Sequence, residues 1–502
     1  MGSPAPLAKA ARTHPRAGLT TTKIVFLVVA AAAPMAGMVG SVPLAFALGN
    51  GVGVPAAFLL SGATLLCFSV GYAALSRRIT STGGFYTYVA RSLGRIAGLP
   101  AGLIALIAYN ATVIGVTGAF AYFAELVARS HGLHVPWPWW ALAGIALMAF
   151  MGYHQIDLSA RLLAVLMVSE VAVLLVVSVC VVVRRGTKAL PAASFAPHHV
   201  FASGLGVALM FALISYIGFE AAALYGEETR DPARSVPLAT YVSVVLITVF
   251  FALVSWVAVG GVGVDRLRPT AQRELGDMFF DLARSYTGAA VATLMQVLLC
   301  TSLFGAMLGL HNAANRYLYV LGRERVLPSW LGAVHPRHSA PHRAGLVQAG
   351  LTAAACAVFA AAGLDPYTNL ATTTLALGAV GLMALQGAVS VSVIAYFHSD
   401  GRAGRHWWRC VAAPLLALGG IGTELVLLLD NFPVVTGTHS ALVNRLPWLL
   451  VAAVLWGVGQ ALYLKARSPA RYAAMGGGID TPASPVGQNS RSLSSSMPRS
   501  AS

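Results

Sequence analysis

From Lys23 almost to its end the chain is a succession of apolar runs, each about twenty residues or longer. That is enough, at about 1.5 Å per helical residue, to cross a hydrocarbon core of roughly 30 Å. The runs begin near Lys23, Val52, Ile96, Trp139, Leu162, Leu205, Thr240, Ala289, Leu346, Leu370, Val411 and Pro447. They predict an all-α integral membrane protein of about twelve transmembrane helices, with eleven left open by the long run after Thr373. Charge agrees with this reading. Only 10% of the 502 residues are charged and 57% are hydrophobic, whereas a water-soluble surface takes about 25% charged residues. The expected solvent is lipid.

A net charge of +16 invites a nucleic-acid partner. The basic residues, however, are scattered between apolar runs and not gathered on one element, so no nucleic-acid binding is expected. Their distribution predicts orientation instead. With the N-terminus inside, 24 Lys and Arg residues fall on the cytoplasmic side and 9 outside, as the positive-inside rule requires. The outer group Arg184, Arg185 and Lys188 runs against the rule locally. The reading is a multi-pass protein of the cell membrane with both termini cytoplasmic. It has an N-terminal segment 1–22, a transmembrane domain 23–466 and a tail 467–502, Gly-, Ser- and Pro-rich from Ala473 and expected to be disordered. The first apolar run continues through Leu48, too far for a signal-peptide core, which predicts an uncleaved first helix. Cys67, Cys180, Cys300, Cys356 and Cys410 lie in or beside apolar runs without metal-ligand spacing and read as small apolar filler.

Two runs are interrupted. The first contains Pro34, Gly37, Gly40, Ser41 and Pro43 at mid-depth, and the sixth contains Ser215, Tyr216, Gly218 and Glu220. Proline removes an amide donor, and glycine weakens a helix by about 1 kcal/mol relative to alanine. Freed backbone groups in a bilayer need protein, water or a ligand to satisfy them. Gly and Pro are also common in membrane helices for packing alone. The breaks, however, fall in equivalent members of two five-helix halves, the arrangement of an inverted repeat with its site at the midplane. Half-helix amides attract a carboxylate and open carbonyls accept from an ammonium, so a zwitterionic amino acid suits the pair.

Four motifs lie in order between these spans. They are STGGFYTYVARSLG (Ser81 to Gly94), SYIGFEAAALYGEETRDPARSVPLA (Ser215 to Ala239), ANRYLYVLGRERVLP (Ala314 to Pro328) and VHPRHSAP (Val334 to Pro341). Together they resemble the amino acid–polyamine–organocation superfamily of permeases over roughly Lys23 to Leu464. The resemblance implies a LeuT-like five-plus-five inverted repeat with discontinuous helices one and six, two peripheral helices, and alternating access. It places Gly37, Met38, Val39, Gly40 and Ser41 at the loop of helix one that holds a substrate carboxylate. Ile214, Ser215, Tyr216, Ile217 and Gly218 fall at the segment of helix six that binds the amino group and gates the pocket. The Gly-Ser-Gly triplet usual in helix one is absent here.

Polar groups inside the membrane mark functional positions by default. Glu220 stands beside the helix-six break, where related permeases carry a carboxylate tied to proton coupling. Glu170, in the fifth run, stands where several relatives carry a lysine, and is expected to be a protonatable or cation-ligating carboxylate. Asn110 is a candidate for the pocket lining. Glu125 and Glu424 read as span-end groups that snorkel. Glu227, Glu228, Arg230, Asp231 and Arg234 read as charge pairs of an inner gate. The function expected is secondary transport of an amino acid, proton-coupled or by exchange. A polyamine or other organic-amine carrier is the alternative, followed by a non-transporting scaffold or receptor. No catalytic residues, metal ligands or cofactor site are expected, because no nucleophile–base pair, metal cluster or phosphate loop is present.

Overall fold

The structure is a computed structural model, and it describes residues 20–79, 84–154, 160–219, 232–338, 340–399, 406–438 and 440–476. Among these residues there are helices and turns and no strand, in keeping with a solvent that cannot hydrogen-bond a free backbone. The first half contains α1 (Thr21–Ala31), α2 (Pro34–Leu48), α3 (Val54–Ser76), α4 (Gly84–Ser92) and α5 (Arg95–Ser130). It continues through α6 (Trp137–His154), α7 (Ala160–Arg185), α8 (Pro197–Val200) and α9 (Leu205–Ser215). Next come α10 (Pro232–Val262), α11 (Leu267–Glu274), α12 (Met278–Thr287), α13 (Ala289–Arg323), α14 (His342–Ala361) and α15 (Thr372–Ser399). The chain closes with α16 (Ala413–Asp430), α17 (Phe432–Thr436), α18 (Ala441–Asn444), α19 (Trp448–Arg467) and α20 (Pro469–Ala474).

Among the described residues nine helical stretches are long and apolar enough to cross a membrane. They account for nine of the twelve expected runs. The remaining three fall on shorter or less apolar helices. The run from Lys23 is divided into α1 and α2. The run at Trp139 is α6, whose tryptophans and His154 dilute its apolar character. The run at Leu205 is α9, only 11 residues long and so about 16 Å, roughly half a hydrocarbon core.

Burial sorts the helices into centre and rim. The apolar windows of α5 and of Pro366–His398 are 78% buried, against 28%, 33% and 22% for α14, Trp408–Asp430 and α19. Thus α13 and α15 pack along the central α5, and α3 packs along α10, while the rim helices turn Leu, Val and Trp outward.

Two of the three bases expected to run against the charge rule, Arg184 and Arg185 at the end of α7, bond to carbonyls near other helix ends. Arg185 donates through Nε and NH2 to Gly260 O (3.1 and 3.0 Å), and Arg184 donates to Ser285 O. A cation near carbonyls at a helix C-terminus is favourable. At the other face, part of the expected disordered tail is ordered. Helix α20 and Met475–Gly476 dock on the bundle because Arg95 donates to Ala473 O and Met475 O. Glu324, just past α13, accepts from Gly476 N (3.0 Å) and from Tyr86 OH. Burial pushes the Glu324 carboxyl above its ordinary range, against the lowering effect of those bonds and of Arg323 and Arg95. The rest of the tail, 477–502, lies outside the described residues.

Candidate substrate and coupling site

Helix one does break, but not where its glycines suggested. Ala33 adopts φ 46°, ψ 72°, and α2 starts at Pro34. A residue before proline is disfavoured in the right-handed helical region, so Pro34 stops α1 from running on. A left-handed alanine costs about 1–2 kcal/mol. Gly37, Met38, Val39, Gly40 and Ser41 lie instead inside α2, all buried, with Gly37 N bonded to Ala33 O at 3.0 Å. The expectation of an unwound loop there is therefore corrected. Small residues at these positions allow close approach. A Cβ built on Gly37 would lie 2.7 Å from Phe251 and 3.3 Å from Ser215, so helix one meets the end of α9 directly. The carbonyl of Gly40 accepts from Tyr367 OH at 3.0 Å.

The first turn of a helix leaves amides without intrahelical partners. In α2 those amides belong to Met35 and Ala36. Met35 N donates to Glu170 Oε2 at 3.1 Å, and Ala36 N donates to Ser302 Oγ at 3.3 Å. Ser302 then donates to the same Glu170 oxygen at 2.9 Å. Glu170 on α7 and Ser302 on α13 are 4% and 5% exposed. A carboxylate thus sits on the positive end of a half-helix dipole, joining three helices. The ion pairs among the described residues, Arg129–Glu125, Arg273–Glu274 and Arg284–Asp281, do not include Glu170.

Helix six stops where expected. After Ser215 the chain turns through Tyr216, Ile217 and Gly218, whose φ of 111° only glycine adopts readily. Tyr216 N bonds Leu213 O, Ile217 N bonds Ile214 O and Phe219 N bonds Tyr216 O, each spanning three residues. The buried Tyr216 hydroxyl lies 3.0 Å from Phe58 O and 2.9 Å from Thr248 Oγ1, donating to one or the other. Two aromatic layers flank these segments. One comprises Tyr122, Phe123 and Tyr367, and the other Phe68, Tyr72 and Phe219.

Other expected residues stand apart. Asn110 Nδ2 donates to Leu106 O of its own helix, and its Oδ1 has no hydrogen-bond partner among the described residues. Glu125 pairs with Arg129 at 2.5 Å. Glu220, Glu227, Glu228, Arg230 and Asp231 lie outside the described residues, and Arg234 is exposed. Glu424 does not snorkel: it is 3% exposed. Sequence reasoning missed Ser302, Thr248 and Tyr367. Ser302 and Thr248 were visible as hydroxyls within apolar runs, but their partners lie far away along the chain. No group of three or more His, Cys, Asp or Glu among the described residues could hold a metal ion.

Comparison with known proteins places this geometry. Residues 19–458 match the family described as Amino acid permease. An uncharacterized transporter of Mycobacterium tuberculosis is 30% identical over 63% of this chain and 68% of its own length. A low-affinity putrescine importer of Escherichia coli is 25% identical over 57% of this chain and 63% of its own. A branched-chain amino acid permease of Bacillus subtilis is 22% identical over 81% and 85%. These relatives are transporters and not enzymes. Multiple apolar helices, a broken first helix and a match over most of its length identify this multi-pass membrane protein as a member of the amino acid permease family.

Proposed function

We propose that the chain is a secondary transporter of an amino acid, proton-coupled or exchanging, that works by alternating access. It would be built on two inverted five-helix halves in a cell membrane, with both termini cytoplasmic. The carrying observation is the Glu170–Ser302 clasp on the α2 amides, set beside the helix-six exit. A substrate carboxylate and Glu170 compete for the same donors. Protonating Glu170 makes it a poorer acceptor and releases Met35 N and the Ser302 hydroxyl to the substrate. Proton and amino acid then bind together, which is the thermodynamic content of symport. Glu220 is assigned to the same coupling on its position, and Ile214 to Gly218 to the amino-group side. Asn110 is assigned to the pocket lining on its unpaired Oδ1.

One observation favours a second reading. In this conformation a first-turn amide of α2, Met35 N, just before the Gly37–Ser41 stretch expected to hold a substrate carboxylate, is already taken by the protein's own acid. An amine without a carboxylate would bind Glu170 in its ionised form, and protonation would expel it. Polyamine or organic-amine transport therefore runs with proton antiport or exchange. Uptake of labelled amino acids and polyamines into proteoliposomes, with the proton gradient inward, outward or absent, separates the two. Amino acid accumulation driven by an inward proton gradient is the expected result. Accumulation that requires sodium and ignores protons overturns proton coupling.

A further inference from the structure

A second buried carboxylate lies on a helix outside the clasp. Glu424 belongs to the buried stripe Ala417, Ile421, Glu424 and Leu428 of α16. Leu415, Leu416 and Val426 of the same helix are more than half exposed, which puts the lipid on the opposite side. The fully buried Ser61 of α3 donates to Glu424 Oε1 at 3.2 Å, while Oε2 has no hydrogen-bond partner among the described residues. Among the described residues no cation answers it. Helices α3, α9 and α17 contain no charged side chain, and α15 contains none apart from His398 near its end. Arg409 lies about 22 Å away along the helix axis, and Asp430 about 9 Å. Of the other titratable groups on these elements, Cys67 and Tyr72 of α3 lie six and eleven residues beyond Ser61, and Tyr396 lies near the end of α15. Among the described residues, the Tyr216 phenol at the helix-six exit is a titratable group close by.

An ionised carboxylate in that position would have neutral hydroxyls alone, Ser61 and Thr64, and no counter-charge among the described residues. A metal cation would need several more oxygens than the seam supplies. A proton needs only the carboxylate itself. The same stretch of α3 also supports helix six. Phe58, within a turn of Ser61, offers the carbonyl that faces Tyr216 OH, and a Cβ on Gly62 would lie 2.8 Å from that hydroxyl. We propose that Glu424 is a second proton-binding site, separate from Glu170, whose occupancy is relayed through the Phe58–Ser61 turn of α3 to the Tyr216 anchor of helix six. The relay's effect on transport rests on the alternating-access reading, whereas proton binding at Glu424 does not.

Infrared difference spectroscopy of the full chain in lipid, titrated with pH in H2O and D2O, reads the site without a substrate. In a Glu170→Gln background a deuterium-sensitive protonated-carboxyl band is expected, and adding Glu424→Gln removes it. A spectrum unchanged by Glu424→Gln overturns the proton site. Should Glu424→Gln fail to fold, Ser61→Ala keeps the carboxyl and is expected to shift the band, and an unmoved band overturns the assignment. Tyr216→Phe is expected to shift the same band, and its failure to do so overturns the relay. Absence of proton-driven uptake by the wild-type chain, with the Glu424 band intact, would count against the transport reading alone.

Discussion

Helix one and helix six are interrupted at opposite ends and held by different chemistry. The break in helix one exposes amide donors, and an acid from another helix closes them together with Ser302. The exit of helix six is closed by three-residue turns, a positive-φ glycine and a neutral phenol. Among the described contacts, then, a titratable carboxyl acts directly on helix one, while hydroxyl bonds steady helix six. In the proposed coupling the main proton leverage enters at the first break, and the second responds through packing at Gly37, Ser215 and Phe251 and through the Glu424 relay.

Removing the acid breaks this contrast most severely. Glu170→Ala strips a buried charged acceptor from two donors, a loss of about 1.5–3 kcal/mol per charged bond. Proton-driven uptake in proteoliposomes is expected to fall by about 10- to 100-fold. Gly37→Val tests whether the helices touch: overpacking costs about 1–3 kcal/mol, and both melting temperature in detergent and uptake are expected to drop. Full activity at a wild-type melting temperature would mean the two segments stand apart. Tyr216→Phe removes the hydroxyl anchor at about 1 kcal/mol, so a several-fold change in uptake rate is expected, with the main proton dependence, set by Glu170, retained and only the part relayed from Glu424 lost. Complete loss of proton dependence there would move the main leverage from helix one to helix six. Ala33→Gly relieves a left-handed alanine and is expected to raise stability by at most about 1 kcal/mol; a lowered melting temperature would contradict the break at this residue.

The smallest effect concerns the anchor of α20 on the bundle. Because burial raises the Glu324 carboxyl, the folded state binds its proton more tightly than the unfolded chain. Its contribution is therefore present at acid pH and is lost as pH rises through that titration. Glu324→Gln is expected to melt with a shallower fall over this window, and identical pH slopes for the two proteins would refute the burial.

Much of this was legible in the sequence, for identifiable reasons. Helix six was placed correctly because Gly218 takes a conformation that other residues adopt at a cost. Helix one was misplaced because Gly37, Gly40 and Ser41 look like breakers but act as contact points inside a helix, while the residue that turns is an alanine marked only by the proline after it. Glu170 stood out as an acid in an apolar run. Its partners did not, since Met35 and Ser302 lie 135 and 132 positions away and only folding brings them together. Glu424 was misread because distance from a span end says nothing about which face a side chain occupies.

The most direct test compares wild type with Glu170→Gln in proteoliposomes, measuring both proton-driven accumulation and substrate exchange without a gradient. Glutamine keeps an acceptor for Met35 N but cannot be protonated at physiological pH. The account predicts that exchange survives and gradient-driven accumulation disappears. Accumulation equal to wild type would contradict it.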